Sequence, residues 1–162
     1  MKTAVCPGSF DPITVGHLDL VERAAAIFDR VIVCVMVNGE KHPMFTPDER
    51  LELARAAVAH IPNAQAEAWG GLLADFAREQ GACALIKGAR NGMDFDWEQQ
   101  MAQINRELCP QLDTVVLPAR PEHFHISSTM VREMIRYQQK LDGYVPAGTA
   151  DILQRIREGK ER

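Results

Sequence analysis

Four polar segments of the chain combine residue types that bind phosphate, and each follows a stretch with the character of a β-strand. The first, PGSFDPITVGH, runs from Pro7 to His17 and leads into a helical pattern. The free N–H groups and the dipole of a helix N-terminus favour an anion. His17, in the first turn, can donate from its ring to a phosphate oxygen, and Ser9 can add a hydroxyl. The segment matches neither the dinucleotide glycine fingerprint nor the P-loop, so it predicts a phosphate site of another kind.

Cations follow two of the other strand patterns. Lys41 lies beyond the second apolar run, where its ammonium can reach a phosphate at a neighbouring strand end. Lys87 and Arg90 flank Gly88 just before a helix start. Cations are unfavourable at that end of a helix unless an anion compensates them. Glu98 follows within that helix. It could bind a ribose hydroxyl, or it could simply be a solvated carboxylate.

Hydroxyl side chains form the fourth segment. Residues 127–129 are Ser, Ser and Thr at a helix start, where a single hydroxyl suffices as the N-cap. The surplus hydroxyls and the helix amides predict a second anion site, with Arg132 one turn further on. His123 and His125 lack the spacing of a metal-binding pair on a helix, so we expect them to line the site at most and predict no metal ligands on the protein.

The elements that must position these segments alternate along the chain. Apolar runs predict five strands, at 2–6, 30–37, 64–69, 83–88 and 113–119. Helical patterns lie between and after them: a face from Leu18 to Phe28, a helix capped by Thr46 and Glu49, and helices at 71–81, 93–108, 128–140 and 149–158. This order predicts one doubly wound, Rossmann-like α/β domain over residues 1–162, with a five-stranded parallel sheet flanked by helices on both faces. Ligands of such sheets bind beyond the carboxyl ends of the strands, where the strand order reverses.

The composition limits the kinds of partner and the cellular location that we expect for the protein. The formal net charge is −4 and the sequence pI is near 5.7, which argues against nucleic acid as the main partner. Apolar residues make up 46% of the chain, but no run approaches the ~20 residues of a membrane span. The four cysteines form no CxxC pair, and three of them lie in or beside apolar runs as expected for buried thiols. The N-terminus lacks a signal-peptide layout, so we expect a cytoplasmic protein.

Two of the segments resemble known signatures. Thr14–His17 is similar to the T/H-x-G-H motif of the nucleotidyltransferase superfamily, and ISSTMVR, at 126–132, is similar to its I-S-S-T/S-x-x-R motif. With KHPMFTPDER and LIKGARNGMDFDWEQQMAQINREL in the same order, the sequence resembles the bacterial phosphopantetheine adenylyltransferase family over nearly its whole length.

The resemblance implies an activity and its partners. The family joins the AMP part of ATP to 4′-phosphopantetheine, which gives dephospho-CoA and pyrophosphate in the penultimate step of coenzyme A synthesis. It implies Mg²⁺, bound mainly through the ATP phosphates, and a cytoplasmic homohexamer.

The resemblance also implies residue roles. The catalytic residues are His17 and Lys41. The ATP site is formed by Ser9, Phe10, His17, Gly88, Ala89, Arg90, Glu98, His123, Phe124, His125, Ile126, Ser127, Ser128 and Thr129. The phosphopantetheine site is formed by Ser9, Lys41, Leu73 and Lys87. Lys87 stands where other members carry arginine, so a bidentate phosphate contact there becomes a single-point contact.

Two other functions remain open from the residues. The first segment is equally compatible with a sibling enzyme that uses nicotinate mononucleotide, or glycerol phosphate with CTP, although the other segments favour pantetheine. A module that binds ATP without catalysis would keep the phosphate-binding segments but not need His17 and Lys41.

Overall fold

The fold is taken from a computed structural model that describes residues 1–160. Five strands form one all-parallel sheet in the order β3-β2-β1-β4-β5. The strands are β1 (Thr3–Gly8), β2 (Arg30–Met36), β3 (Ala64–Trp69), β4 (Ala82–Ala89) and β5 (Asp113–Pro118). The helices are α1 (Val15–Ala25), α2 (Pro47–Val58), α3 (Leu73–Glu79), α4 (Gly92–Leu108), α5 (Ser128–Arg136) and α6 (Ala150–Lys160). The predicted α/β class and the five strands are confirmed.

Burial of β2 shows why the sheet carries helices on both faces. Its five central residues, 31–35, are fully buried. Val31, Val33 and Val35 join one apolar cluster, while Ile32 and Cys34 join the other. Successive strand residues point to opposite faces, so a run that is apolar throughout requires cover on each side of the sheet.

The strand order reverses beside β1. The chain proceeds from β1 to β2 and β3 on one side, then returns to place β4 on the other side of β1. The carboxyl ends of all five strands lie at one edge because every pair is parallel. The segments singled out in the sequence follow these ends, at the position where ligands of doubly wound sheets bind.

Local signals fix most helix ends. The predicted capping box of α2 is present: Thr46 Oγ1 accepts from the Glu49 amide at 3.2 Å, and the Glu49 carboxylate accepts from the Thr46 amide at 2.8 Å. The helix predicted to reach residue 140 ends at Arg136, because Gln138 adopts a left-handed backbone conformation with φ of 54°.

The longest helix, α4, has no buried residue and exposes large apolar side chains, among them Met93 at 82% and Trp97 at 61%. Within residues 1–160, no helix combines the length and the apolar character needed to cross a membrane.

Candidate active site

Two cavities open at the carboxyl edge of the sheet, on either side of the loop that follows β1. We call them the Lys41 cavity, of about 690 Å³, and the His17 cavity, of about 560 Å³, after one lining residue of each. The Lys41 cavity also contacts the residues that follow β2 and β3, and the His17 cavity lies at the ends of β1 and β4. Ser9 lines the former and its neighbour Phe10 the latter, so one peptide unit separates the two.

His17 is held in one orientation by the start of its own helix. Thr14 is the N-cap of α1, and its backbone N–H donates to Nδ1 of His17 at 3.0 Å. The Thr14 hydroxyl also lies 3.2 Å from Nδ1, and the Phe10 ring packs edge-on with a centroid distance of 5.0 Å. Since Nδ1 accepts a hydrogen bond from an amide, the ring proton of the neutral imidazole resides on Nε2.

The charge state of His17 follows from its surroundings. Burial, assisted by the nearby charge of Lys87, lowers the pKa of His17 to about 4. The imidazole is therefore neutral at pH 7. It can donate from Nε2 to an anion but is not poised as a base of ordinary strength.

The remainder of the His17 cavity pairs opposite charges. Lys87 lies 3.4 Å from Glu98, Arg90 lies 3.4 Å from Asp94, and the Arg120 guanidinium donates to Asp19 at 2.7 Å. The cavity therefore offers both cations for phosphates and carboxylates for hydroxyl or amino groups.

Gly88 packs closely against α1 at the end of β4. A Cβ there would lie 2.8 Å from Cδ1 of Leu20, so a larger residue at this position would require the Leu20 side chain to shift.

The hydroxyl residues at 127–129 each have a partner within the protein. Ser127 is the N-cap of α5 and accepts from the Met130 amide at 3.1 Å. Ser128 donates to the Pro12 carbonyl at 2.8 Å, and Thr129 accepts from Arg132 at 3.2 Å. The excess of hydroxyls over the single cap thus has a structural account, in which Ser128 and Arg132 tie α5 to the first loop.

The Lys41 cavity is strongly cationic. Among its described lining residues are Lys41, Arg50, Arg132 and Arg136, against a single carboxylate, Asp11. Such a lining favours an anionic ligand.

Sequence reasoning missed Arg50. It lies in α2 on the same face as Leu53, Ala54 and Ala57 and is only 3% exposed. Its Nη1 donates to the carbonyls of Ser9, at 2.7 Å, and Met36, at 2.9 Å. The helical spacing from Arg50 to Leu53 and Ala54 was a signal that this charge would face inward.

Asp11, for which the sequence analysis assigns no role in the site, links three segments. Its carboxylate accepts from the amides of Met44 and Phe45, both at 2.9 Å, and lies 3.7 Å from the Arg132 guanidinium. It therefore fixes the far end of the segment that carries Lys41 to the first loop and to α5.

The structure divides the predicted site residues between the cavities. Ten of them line the His17 cavity: Phe10, His17, Lys87, Gly88, Arg90, Glu98, His123, Ile126, Ser127 and Ser128. Ser9 and Lys41 line the other. Lys87 thus lies with His17 rather than with Lys41, although the resemblance groups it with the phosphopantetheine site.

The remaining predicted residues lie outside both linings. They are Ala89, Leu73, Phe124, His125 and Thr129. Leu73 packs against the apolar cluster that includes Phe76, the His125 ring stacks edge-on against Tyr144 at 6.2 Å, and Ala89 ends β4.

Comparison with known proteins first identifies the class of protein to which the chain belongs. A family model described as cytidylyltransferase-like matches residues 5–134. A solved structure of a bifunctional NMN adenylyltransferase/ADP ribose pyrophosphatase from Francisella tularensis superposes with a TM-score of 0.73, over 97% of this chain and 49% of that one. At 14% identity this likeness shows a shared fold.

Curated relatives identify the family more narrowly. Proteins named phosphopantetheine adenylyltransferase are 49% identical in Symbiobacterium thermophilum, over 98% of this chain and 96% of that one, and 44% identical in Shouchella clausii, over 96% and 98%. A third, from Heliobacterium modesticaldum, is 47% identical over 98% of this chain and 92% of its own. The chain therefore belongs to the cytidylyltransferase-like family and, within it, to the phosphopantetheine adenylyltransferases.

Proposed function

We propose that this enzyme transfers the adenylyl group of ATP to 4′-phosphopantetheine, releasing pyrophosphate and forming dephospho-CoA. The observation that carries the proposal is the pair of cavities that meet at the Ser9–Phe10 peptide, one rich in cations and one of mixed charge. Two phosphorylated substrates bound in them would meet beside that peptide and His17. The family membership supports the same pair of substrates.

The reaction needs charge stabilisation more than proton transfer. An oxygen of the acceptor phosphate forms a bond to the α-phosphorus of ATP, and the bond from that phosphorus to the pyrophosphate oxygen breaks. The nucleophile is already an anion, so no base is required. A neutral His17 with its proton on Nε2 suits the remaining task, donation to a non-bridging oxygen of the transition state.

The Lys41 cavity is assigned to the acceptor. Ser9 and Lys41 would hold its phosphate, and Leu73 is proposed for the pantetheine arm. Lys87 shares the cavity of His17, so its proposed contact is with the acceptor phosphate at the reacting end. His17 and Lys41 are the proposed catalytic residues, because they would approach the α-phosphate of the transferred adenylyl group from the two sides of the first loop.

The His17 cavity is assigned to ATP. Phe10, Gly88, Arg90, Glu98 and residues 123–129, with Ser9 and Ala89 at its border, are the proposed contacts. Glu98 suits a ribose hydroxyl, while the amides at the start of α5 and the Arg90 guanidinium suit the phosphates.

Magnesium is proposed to enter with ATP. Among residues 1–160, no three His, Cys, Asp or Glu side chains converge to hold a metal ion. Asp19, Asp94 and Glu98, the carboxylates of the ATP cavity, are each paired with a cation. These residues fit an ion carried mainly by the nucleotide phosphates, where it would neutralise the charge of the departing pyrophosphate.

We propose that the enzyme is cytoplasmic and that residues 1–162 form one nucleotidyltransferase domain. We also propose that it is a homo-oligomer, specifically the homohexamer implied by the resemblance. The exposed apolar side chains of α4 that line neither cavity, Phe95, Ile104 and Leu108, support association. Sedimentation equilibrium of the wild type and of Ile104→Glu tests it. A wild type that sediments as a monomer contradicts the proposal.

Acceptor choice tests the activity. The purified protein is offered 4′-phosphopantetheine, nicotinate mononucleotide or glycerol phosphate, each with ATP or CTP, and pyrophosphate release is measured. We expect turnover with 4′-phosphopantetheine and ATP. Turnover only with another acceptor identifies a sibling enzyme, and ATP binding without turnover identifies a nucleotide-binding module.

A further inference from the structure

Arg50 occupies a position where a charged side chain is unfavourable. Its side chain is almost wholly buried between α2, the first loop and the end of β2. Within the described residues, its Nε has no hydrogen-bond partner. Desolvation of the guanidinium, the larger influence, lowers the pKa of Arg50, which is the signature of a charge kept at a cost.

The nearby carboxylate compensates this charge only in part. Asp11 acts favourably on Arg50 at a distance, but its oxygens accept from the Met44 and Phe45 amides and it also faces Arg132. Asp11 is therefore the shared counter-ion of Arg50 and Arg132, at the edge of a cavity that Lys41 and Arg136 also line. A link between two carbonyls alone would need only a neutral donor, so the positive charge indicates an anion in the cavity.

The contacts of Arg50 explain how it would act on that anion. The Ser9 carbonyl belongs to the peptide that separates the two cavities, and the Met36 carbonyl ends β2, just before the segment 37–43 that carries Lys41. Asp11 fixes the other end of that segment at Met44 and Phe45. One guanidinium thus fixes Ser9 and the start of the Lys41 segment relative to each other.

We propose that Arg50 is a positioning residue for the phosphate of the acceptor: it holds Ser9 and Lys41 in register and adds its charge to the field of the Lys41 cavity. The inference rests on the assignment of that cavity to 4′-phosphopantetheine under the proposed function.

Binding measurements on three variants test the role. Calorimetry gives the Kd of wild type, Arg50→Gln, Arg50→Lys and Arg55→Gln for 4′-phosphopantetheine, for pantetheine without its phosphate, and for ATP. Arg55 is the matched control, because it lies on the same helix but is exposed and lines neither active-site cavity. Thermal unfolding is recorded for each variant.

We expect Arg50→Gln to weaken 4′-phosphopantetheine binding by about tenfold to a hundredfold, the scale of a hydrogen bond that involves a charged group. Binding of pantetheine and of ATP should change by less than about threefold. In the wild type a single nitrogen, Nη1, contacts both carbonyls. Arg50→Lys keeps the charge, but its side chain is too short to place a donor at the position of Nη1, so its affinity should fall between those of the wild type and Arg50→Gln. Arg55→Gln should match the wild type.

Two results overturn the inference. Equal losses for all three ligands show a general structural role. A wild-type affinity of folded Arg50→Lys for 4′-phosphopantetheine shows that the contacts made at the position of Nη1 are not needed. If Arg50→Gln does not fold, Arg50→Lys decides alone. A wild type that does not turn over 4′-phosphopantetheine refutes the proposed function itself, whereas normal wild-type turnover with unchanged Arg50 variants refutes only the role of Arg50.

Discussion

The two cavities beside β1 use charge in opposite ways. In the His17 cavity nearly every cation has a carboxylate partner, as in Lys87 with Glu98 and Arg120 with Asp19. Among the described lining residues of the Lys41 cavity, four side chains are cationic and one, Asp11, is a carboxylate, although Arg136 also pairs with Glu133 outside the lining. The difference matches ligands of different kinds: a nucleotide presents hydroxyl and amino groups as well as phosphates, whereas the reactive end of the acceptor is a phosphate alone.

His17 and Arg50 show the same difference in the use of charge at the level of single residues. His17 is kept neutral and held by two hydrogen-bonding groups of Thr14, which leaves its Nε2 N–H as the donor proposed for the reaction. Arg50 remains a buried cation and acts through the backbone of its neighbours. One cavity is thus organised around a directed neutral donor, and the other around the electrostatic field of an excess of cations.

Replacement of His17 gives the largest expected effect. His17→Ala removes the Nε2 donor from the transition state, and we expect kcat to fall by about 10²–10³ while the protein stays folded. Pyrophosphate release under saturating substrates measures the change. His60→Ala, which removes an exposed histidine paired with Glu22, is the control and should keep wild-type activity. Near-full activity of His17→Ala would remove His17 from the mechanism.

The Asp11 carboxylate tests the other cavity. In Asp11→Asn the amide can accept from only one of the two backbone N–H groups at Met44 and Phe45, so the Lys41 segment loses an anchor. We expect the KM for 4′-phosphopantetheine to rise about tenfold, with a loss of about 1–3 kcal/mol in the free energy of unfolding. The KM for ATP should change much less.

Steady-state kinetics and urea unfolding measure these two effects, with Asp29→Asn as the control. Asp29 accepts from the Lys2 amide at 2.7 Å on the exposed surface and lines neither cavity. If Asp11→Asn raised the KM of both substrates equally, the two cavities would not be independent in the way their linings indicate.

Much of this arrangement was predictable from sequence, and the reason is local. Apolar runs such as 30–37 and the Thr46–Glu49 capping box depend on neighbouring residues alone, and both appear where the pattern placed them. These local patterns give the ends of the strands. The strand ends in turn give the general location of the candidate site.

The rest depends on tertiary contacts. Nothing in the string PGSFDPITVGH shows that Ser9 and Phe10 face different cavities, or that Lys87 lies with His17. The inward orientation of Arg50 depends on the carbonyls of Ser9 and Met36, which come from two distant segments. The low pKa of His17 likewise depends on burial in the folded protein and on the charge of Lys87, a residue distant from it in the chain.

The charge of Lys87 gives a smaller test of the His17 cavity. Lys87→Met removes a cation that lowers the pKa of His17 and leaves Glu98 without its partner, so the pKa of His17 should rise towards its ordinary value of 6.5. Lys87→Arg keeps the charge and should leave the pKa of His17 unchanged. An NMR titration of the imidazole carbon shifts measures both variants. An unchanged pKa in Lys87→Met would leave burial as the whole cause.

The low pKa of His17 also predicts how the stability of the protein changes with pH. The pKa of His17 is about 4 in the folded protein against an ordinary 6.5, so on acidification the unfolded chain takes up this proton first. The contribution of neutral His17 to stability is complete above pH 6.5 and is lost progressively as the pH falls towards 4. At pH 5 the loss should be on the order of 1–2 kcal/mol relative to pH 7.

His17→Asn, whose amide oxygen can still accept from the Thr14 amide, cannot take up this proton. Urea unfolding of both proteins at pH 7 and pH 5 isolates the effect, because every other titrating group cancels in the difference between them. The stability advantage of the wild type over His17→Asn should shrink at pH 5. An advantage that is equal at the two pH values would mean that His17 titrates in the folded protein as it does in the unfolded chain, and the directed neutral donor would lose its physical basis.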